Sequence, residues 1–103
     1  MNLLIRYILL SIVLCLFFLA TSLHAQSVAI NNTNSLPDPS ALLDLSSSYK
    51  GLLIPRVNLI NTTDPVTISS PARGLLVYNL GANIQAGFYY NAGTPGLPDW
   101  TIF

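Results

Sequence analysis

Apolar residues are distributed along this chain in two different ways. From Tyr7 to Ala20 they run almost unbroken, and from Val28 onward they come in short groups separated by polar or breaking residues. The first run follows a single charge, Arg6, and gives way to the small and polar Thr21-Ser22-Leu23-His24-Ala25. A positive start, an apolar stretch of roughly 7–15 residues and a small closing residue predict a helical secretory signal peptide. Cleavage is expected after Ala25, leaving Gln26 first in the mature chain. The apolar part falls short of the ~20 residues of a spanning helix, so an anchor is the lesser reading. Cys15 follows Leu14 and precedes Leu16-Phe17-Phe18-Leu19, where lipid attachment would need a small neighbour; it reads as filler of the apolar run.

Beyond residue 25 the pattern is that of strands. All six glycines and all seven prolines lie there, and few runs longer than ten residues escape a breaker. The stretch Ser46 to Arg56 (S-S-S-Y-K-G-L-L-I-P-R) returns in altered form as Ser69 to Asn79 (S-S-P-A-R-G-L-L-V-Y-N). Leu43-Asp44-Leu45 and Val66-Thr67-Ile68 stand in register upstream of the two copies. Each copy therefore predicts a hairpin, over 43–56 and 66–79. Val28-Ala29-Ile30 predicts a short first strand stopped by Asn31-Asn32-Thr33-Asn34, whose side chains favour turns. Leu36-Pro37-Asp38-Pro39-Ser40 reads as rigid and extended; a short helix capped by Ser40 is the alternative, opposed by the serine run that would form its interior. Phe88-Tyr89-Tyr90 and Trp100 to Phe103 predict a C-terminal meander. The expected fold is all-β, with short antiparallel hairpins and that meander in one module over 26–103, after a cleaved helical signal peptide over 1–25.

Composition then narrows the function. Removing residues 1–25 from the 103 leaves 78 residues and takes away the only Cys, His and Met. Three basic side chains (Lys50, Arg56, Arg73) face four acidic ones (Asp38, Asp44, Asp64, Asp99), which gives no basic patch for nucleic acid. No disulfide is possible without cysteine, and the usual zinc sites are excluded without histidine. A domain of this size buries only about 60% of the surface its unfolded chain exposes, and small scaffolds usually need a staple. Oligomerisation or docking onto a larger surface assembly is the staple left. Contact with membrane is expected only through the signal peptide before cleavage.

The strand segments also resemble a known family. Val28-Ala29-Ile30-Asn31-Asn32-Thr33, followed by Pro37-Asp38-Pro39-Ser40-Ala41-Leu42-Leu43-Asp44-Leu45, resembles a repeat of phage tail-fibre-like proteins. Lys50-Gly51-Leu52-Leu53-Ile54-Pro55-Arg56, Pro71-Ala72-Arg73-Gly74-Leu75-Leu76-Val77-Tyr78-Asn79 and Phe88-Tyr89-Tyr90-Asn91 before Trp100 resemble a pattern familiar from exported proteins of the Bacteroidetes and from tail fibres. Ala29 stands where that pattern prefers Gly, and Ile54 where it often has Pro. The resemblance implies a surface or fibre protein, often homotrimeric, without chemistry of its own. With the signal peptide, it implies an exported chain, extracellular or at the outer cell surface, with the periplasm as the alternative.

Candidate chemistry is sparse. Ser47-Ser48-Tyr49-Lys50 has the S-x-x-K spacing of a lysine-activated serine, but that mechanism needs a helical turn within a large domain, and Gly51 follows at once. Four isolated aspartates read as turn residues and solvated strand positions rather than a carboxylate pair for glycoside hydrolysis. No catalytic residue, metal site or cofactor is expected. Arg56 and Arg73, at the ends of the repeated apolar strand, would form a ring about a trimer axis or an interface ion pair, or simply guard an edge strand. The aromatic group Tyr78, Phe88, Tyr89, Tyr90, Trp100 and Phe103 offers the one plausible ligand or interface surface, and stacking on a glycan is its second reading. Alternation puts Phe88 and Tyr90 on one face and Tyr89 on the other, so one face must be core. Trp100 is expected first in the core or a subunit interface.

Overall fold

The computed structural model describes residues 2–19 and 27–103, so the expected cleavage point after Ala25 lies outside the described residues. The N-terminal apolar run forms helix α1, Leu3–Leu19. Leu, Ile, Val and Phe surround it on all sides, and its described side chains are exposed. Among the described residues no helix is long and apolar enough to cross a membrane. Among the described residues everything else regular is strand, and the chain divides into two compact units, Met1–Lys50 and Gly51–Phe103.

In the first unit β1, Val28–Ile30, pairs in parallel with β2, Leu43–Leu45. The register sets Val28 against Leu43, Ala29 against Asp44 and Ile30 against Leu45. Flanking bonds extend the ladder: the Val28 amide donates to the Leu42 carbonyl at 2.8 Å and the Ser46 amide to the Ile30 carbonyl at 3.0 Å. A parallel pair needs a crossover of a dozen or so residues, which Asn31 to Leu42 supply. That crossover is held by its own polar side chains. Asn31 Oδ1 accepts from the amides of Thr33 and Ser35, its Nδ2 donates to the Ser35 carbonyl, and Asp38 Oδ1 accepts from the Ser40 amide and hydroxyl. Ser40 closes a turn here instead of capping a helix.

The second unit is a four-stranded sheet in the order β3-β4-β5-β6. Strand β3, Arg56–Val57, runs parallel to β4, Leu76–Asn79; β5, Gly87–Asn91, and β6, Trp100–Ile102, follow antiparallel. The C-terminal meander is as expected. The two hairpins are not: Leu43–Leu45 pairs backwards with β1, Leu52–Ile54 is irregular, and Val66–Ile68 is a series of bends. A specific competitor removes the strand at 66–68. The Asp64 carboxylate accepts the amides of Val66 at 2.7 Å and Thr67 at 3.0 Å, which a ladder would have needed.

The core of this unit is small. Leu59, Val77, Tyr89 and Trp100 form it, with Val57, Ile68 and Ile84 packed against them. Val77 and Tyr89 are cross-strand partners, and Trp100 stands opposite Asn91. Alternation thus gives the sheet an inner face bearing Val57, Val77, Asn79, Tyr89, Asn91 and Trp100 and an outer face bearing Arg56, Leu76, Tyr78, Phe88 and Tyr90.

Candidate association surface

Three buried polar side chains fix the loops that let the outer face stand open. Asp64 is fully buried, a correction to its reading as a solvated turn residue. Its carboxylate accepts from the amides of Ile60, Val66 and Thr67 and from the Thr67 hydroxyl. Burial pushes its pKa up, but the bonds from Ile60, Thr67 and Val66 outweigh it and leave the group lowered to about 2. Asn79 Oδ1 accepts the Leu59 amide at 2.9 Å while its Nδ2 donates to the carbonyls of Ile84 and Gln85. Asn91 does the same for the other end: Nδ2 donates to Pro71 and Ala72, and Oδ1 accepts from Gly93 and Asp99. Among the described residues no buried side-chain nitrogen or oxygen lacks a partner. Each of the three is a one-residue substitute for secondary structure, pairing loop backbone that no strand reaches.

With the loops pinned below, aromatic rings are left above. Tyr78 and Phe88 face each other across β4 and β5, centroids 5.1 Å apart and nearly perpendicular at 79°. Phe103, whose amide bonds the Phe88 carbonyl at 3.2 Å, sets its ring 6.0 Å from Phe88 and 5.9 Å from Tyr90. Phe88 remains 45% exposed and Phe103 71%. Leu76, opposite Tyr90, extends the patch. Aromatic side chains carry large burial energy, and such clusters on a surface mark a place of contact.

The sequence-derived candidates divide between the two faces. Tyr78 and Tyr90 belong to the open patch, together with Phe88 and Phe103. Tyr89 and Trp100 do not: at 4% and 1% exposed they are core. Their polar ends are spent inside, the Tyr89 hydroxyl on the Gln85 carbonyl and Trp100 Nε1 on the Asp64 carbonyl, both at 2.9 Å. Neither can stack on a sugar. Arg56 is exposed at the register position beside Tyr78, and Arg73 is exposed with its Nε on the Gly93 carbonyl at 3.0 Å. Ser47 Oγ accepts the amides of Tyr49 and Lys50, closing a turn, and Lys50 Nζ lies over the Tyr49 ring, 5.5 Å from its centroid.

The first unit contributes a second uncovered surface. Val28, Ile30, Leu43 and Leu45 occupy one face of the β1–β2 ribbon and are between 41% and 61% exposed. Ala29 and Asp44 take the other face, where Asp44 Oδ2 accepts the Asp38 amide at 2.8 Å.

The result is a small β module with a core of four residues and two apolar faces left uncovered. A family model of the phage tail like trimerisation region matches residues 29–102, and the chain belongs to that family. It is a structural, self-associating module of the phage tail-like kind. No curated protein and no solved structure matches it.

Proposed function

We propose that this chain is an exported, non-enzymatic structural module that assembles as a homotrimer within a surface or fibre-like assembly. The observation that carries the reading is the aromatic patch of Tyr78, Phe88, Tyr90 and Phe103 on the outer face of the sheet, in a chain of a trimerisation family. The only charge at that face's register positions is Arg56, at its edge, so an apolar surface is the fitting counterpart. Trimer formation also supplies the staple that a core of four residues lacks. Export is supported by the N-terminal pattern of one positive charge, the apolar helix α1 and the small residues before Gln26.

The test is the solution mass of residues 26–103 by light scattering coupled to size exclusion. Three times the chain mass, with a concentration-dependent melt, is expected. A folded monomer over the whole micromolar range refutes the proposal.

A further inference from the structure

Among the described residues the β1–β2 ribbon leaves its apolar face uncovered. A two-stranded sheet is at best marginally stable in water, and needs a third strand or a packed face. This one consists of two three-residue strands, and all four of its aliphatic side chains point to the same open face. Nothing polar interrupts that face, since Ala29 and Asp44 alternate away from it and the Asp44 carboxylate is engaged with Asp38.

The geometry points to this ribbon as the axial seam of the trimer, with its occupant the same ribbon from two further copies of the chain. This rests on the trimer reading and adds to the aromatic patch a second, separate contact between copies. Around a threefold axis the three ribbons would present identical layers, Val28 with Leu43 in one and Ile30 with Leu45 in the next. Because β1 and β2 run in the same direction, all six strands would also run in parallel along the axis. Aliphatic layers are self-complementary and bury no charge, which suits a homotypic contact. A lipid surface fits poorly: from Ser27 to Lys50 the charged residues are Asp38, Asp44 and Lys50, against the cluster of basic residues that membrane-surface elements carry. A partner of opposite charge has nothing to read on this face. The family match, starting at residue 29, takes in Ala29 and Ile30 of β1 and the whole of β2.

The experiment compares the full chain, exported from and purified out of an expression host, with the double variant Ile30→Asp plus Leu45→Asp. Light scattering gives the mass and Trp100 emission reports the second unit, whose indole is buried. A wild-type trimer and a variant whose half-dissociation concentration rises at least a hundredfold with unchanged emission is the expected result. A wild-type monomer overturns the trimer reading itself; a variant that stays trimeric overturns the seam alone. If the variant loses its Trp100 emission, oxidation of Ile30→Cys in a Cys15→Ser background decides. A covalent dimer from the assembled protein, absent with Ala29→Cys on the opposite face, sustains the seam, and its absence overturns it.

Discussion

The indole Nε1 of Trp100 donates to the backbone carbonyl of Asp64 at 2.9 Å, joining the last strand to a loop 36 residues earlier. The same loop accepts a second bond at Thr62, whose carbonyl takes the Trp100 amide at 2.7 Å. Strand β6 is thereby held from its far side as well as by β5. Trp100→Phe keeps an aromatic ring, though a smaller one, and leaves the Asp64 carbonyl unpaired in the core. A loss of about 2 kcal/mol is expected from the bond and the missing volume, read as a lower denaturation midpoint at unchanged m-value.

Asp64 makes the fold acid-sensitive. Its pKa is lowered from 3.8 to about 2 in the folded chain. A folded value below the unfolded one means that the stabilisation is fully present above the unfolded value and is lost as pH falls from about 3.8 towards 2. Asp38, held low by the Ser40 hydroxyl and amide, acts in the same direction. Thermal midpoints of the wild type should therefore drop between pH 4 and pH 2. Asp64→Asn should melt lower than wild type at neutral pH and show a flatter acid limb; parallel limbs would contradict the assignment.

Asn79 and Asn91 predict a contrast with their exposed neighbour. Asn79→Ala abandons the Leu59 amide and the carbonyls of Ile84 and Gln85, a cost of about 2–4 kcal/mol. Asn79→Asp should do no better, because its carboxylate would face those two carbonyl oxygens. Asn83→Ala gives up one bond, to the Leu59 carbonyl at 3.2 Å, from an exposed position. Its cost should stay near ~1 kcal/mol, as chemical denaturation of the three variants would show.

The loop between β5 and β6 carries two glycines of opposite tolerance. A Cβ at Gly93 would overlap the Leu97 carbonyl oxygen and lie 2.8 Å from the Asp99 amide, whereas one at Gly96 meets nothing within 4 Å. Backbone atoms cannot step aside as a flexible side chain does. Gly93→Ala should cost about 2 kcal/mol or more, and Gly96→Ala should be neutral or slightly stabilising. Equal melting temperatures for the two would refute this packing.

Periodicity determined much of the C-terminal part of this fold, the sheet from β4 to β6. Phe88-Tyr89-Tyr90 alternates so strictly that the division of Tyr89 from its neighbours was legible, and its only open choice, which face is core, turned on Trp100. The outer patch was half visible for the same reason: Tyr78 and Tyr90 were among the candidates, while Phe88 and Phe103 were recognisable as members of the aromatic group. Repetition misled where periodicity did not. Two similar serine-glycine-aliphatic segments suggested two equal hairpins, but one aliphatic run is irregular at Leu52–Ile54 and the other becomes strand β4.

What the amino-acid sequence by itself determined is local: an apolar N-terminal helix, strands where β-formers alternate, turns where Gly, Pro and Asn gather, and a family pattern extending from 29 to 102. Tertiary structure alone decided that Leu43–Leu45 joins Val28–Ile30 in parallel, and that Asp64, Asn79 and Asn91 lie inside. The physical reason is the same in both cases. An amide or a polar side chain carries no mark of its partner, and here the partners are found 20 residues away for Asn79 and Asn91 and 36 for Trp100, so only the closed chain shows which donor meets which acceptor.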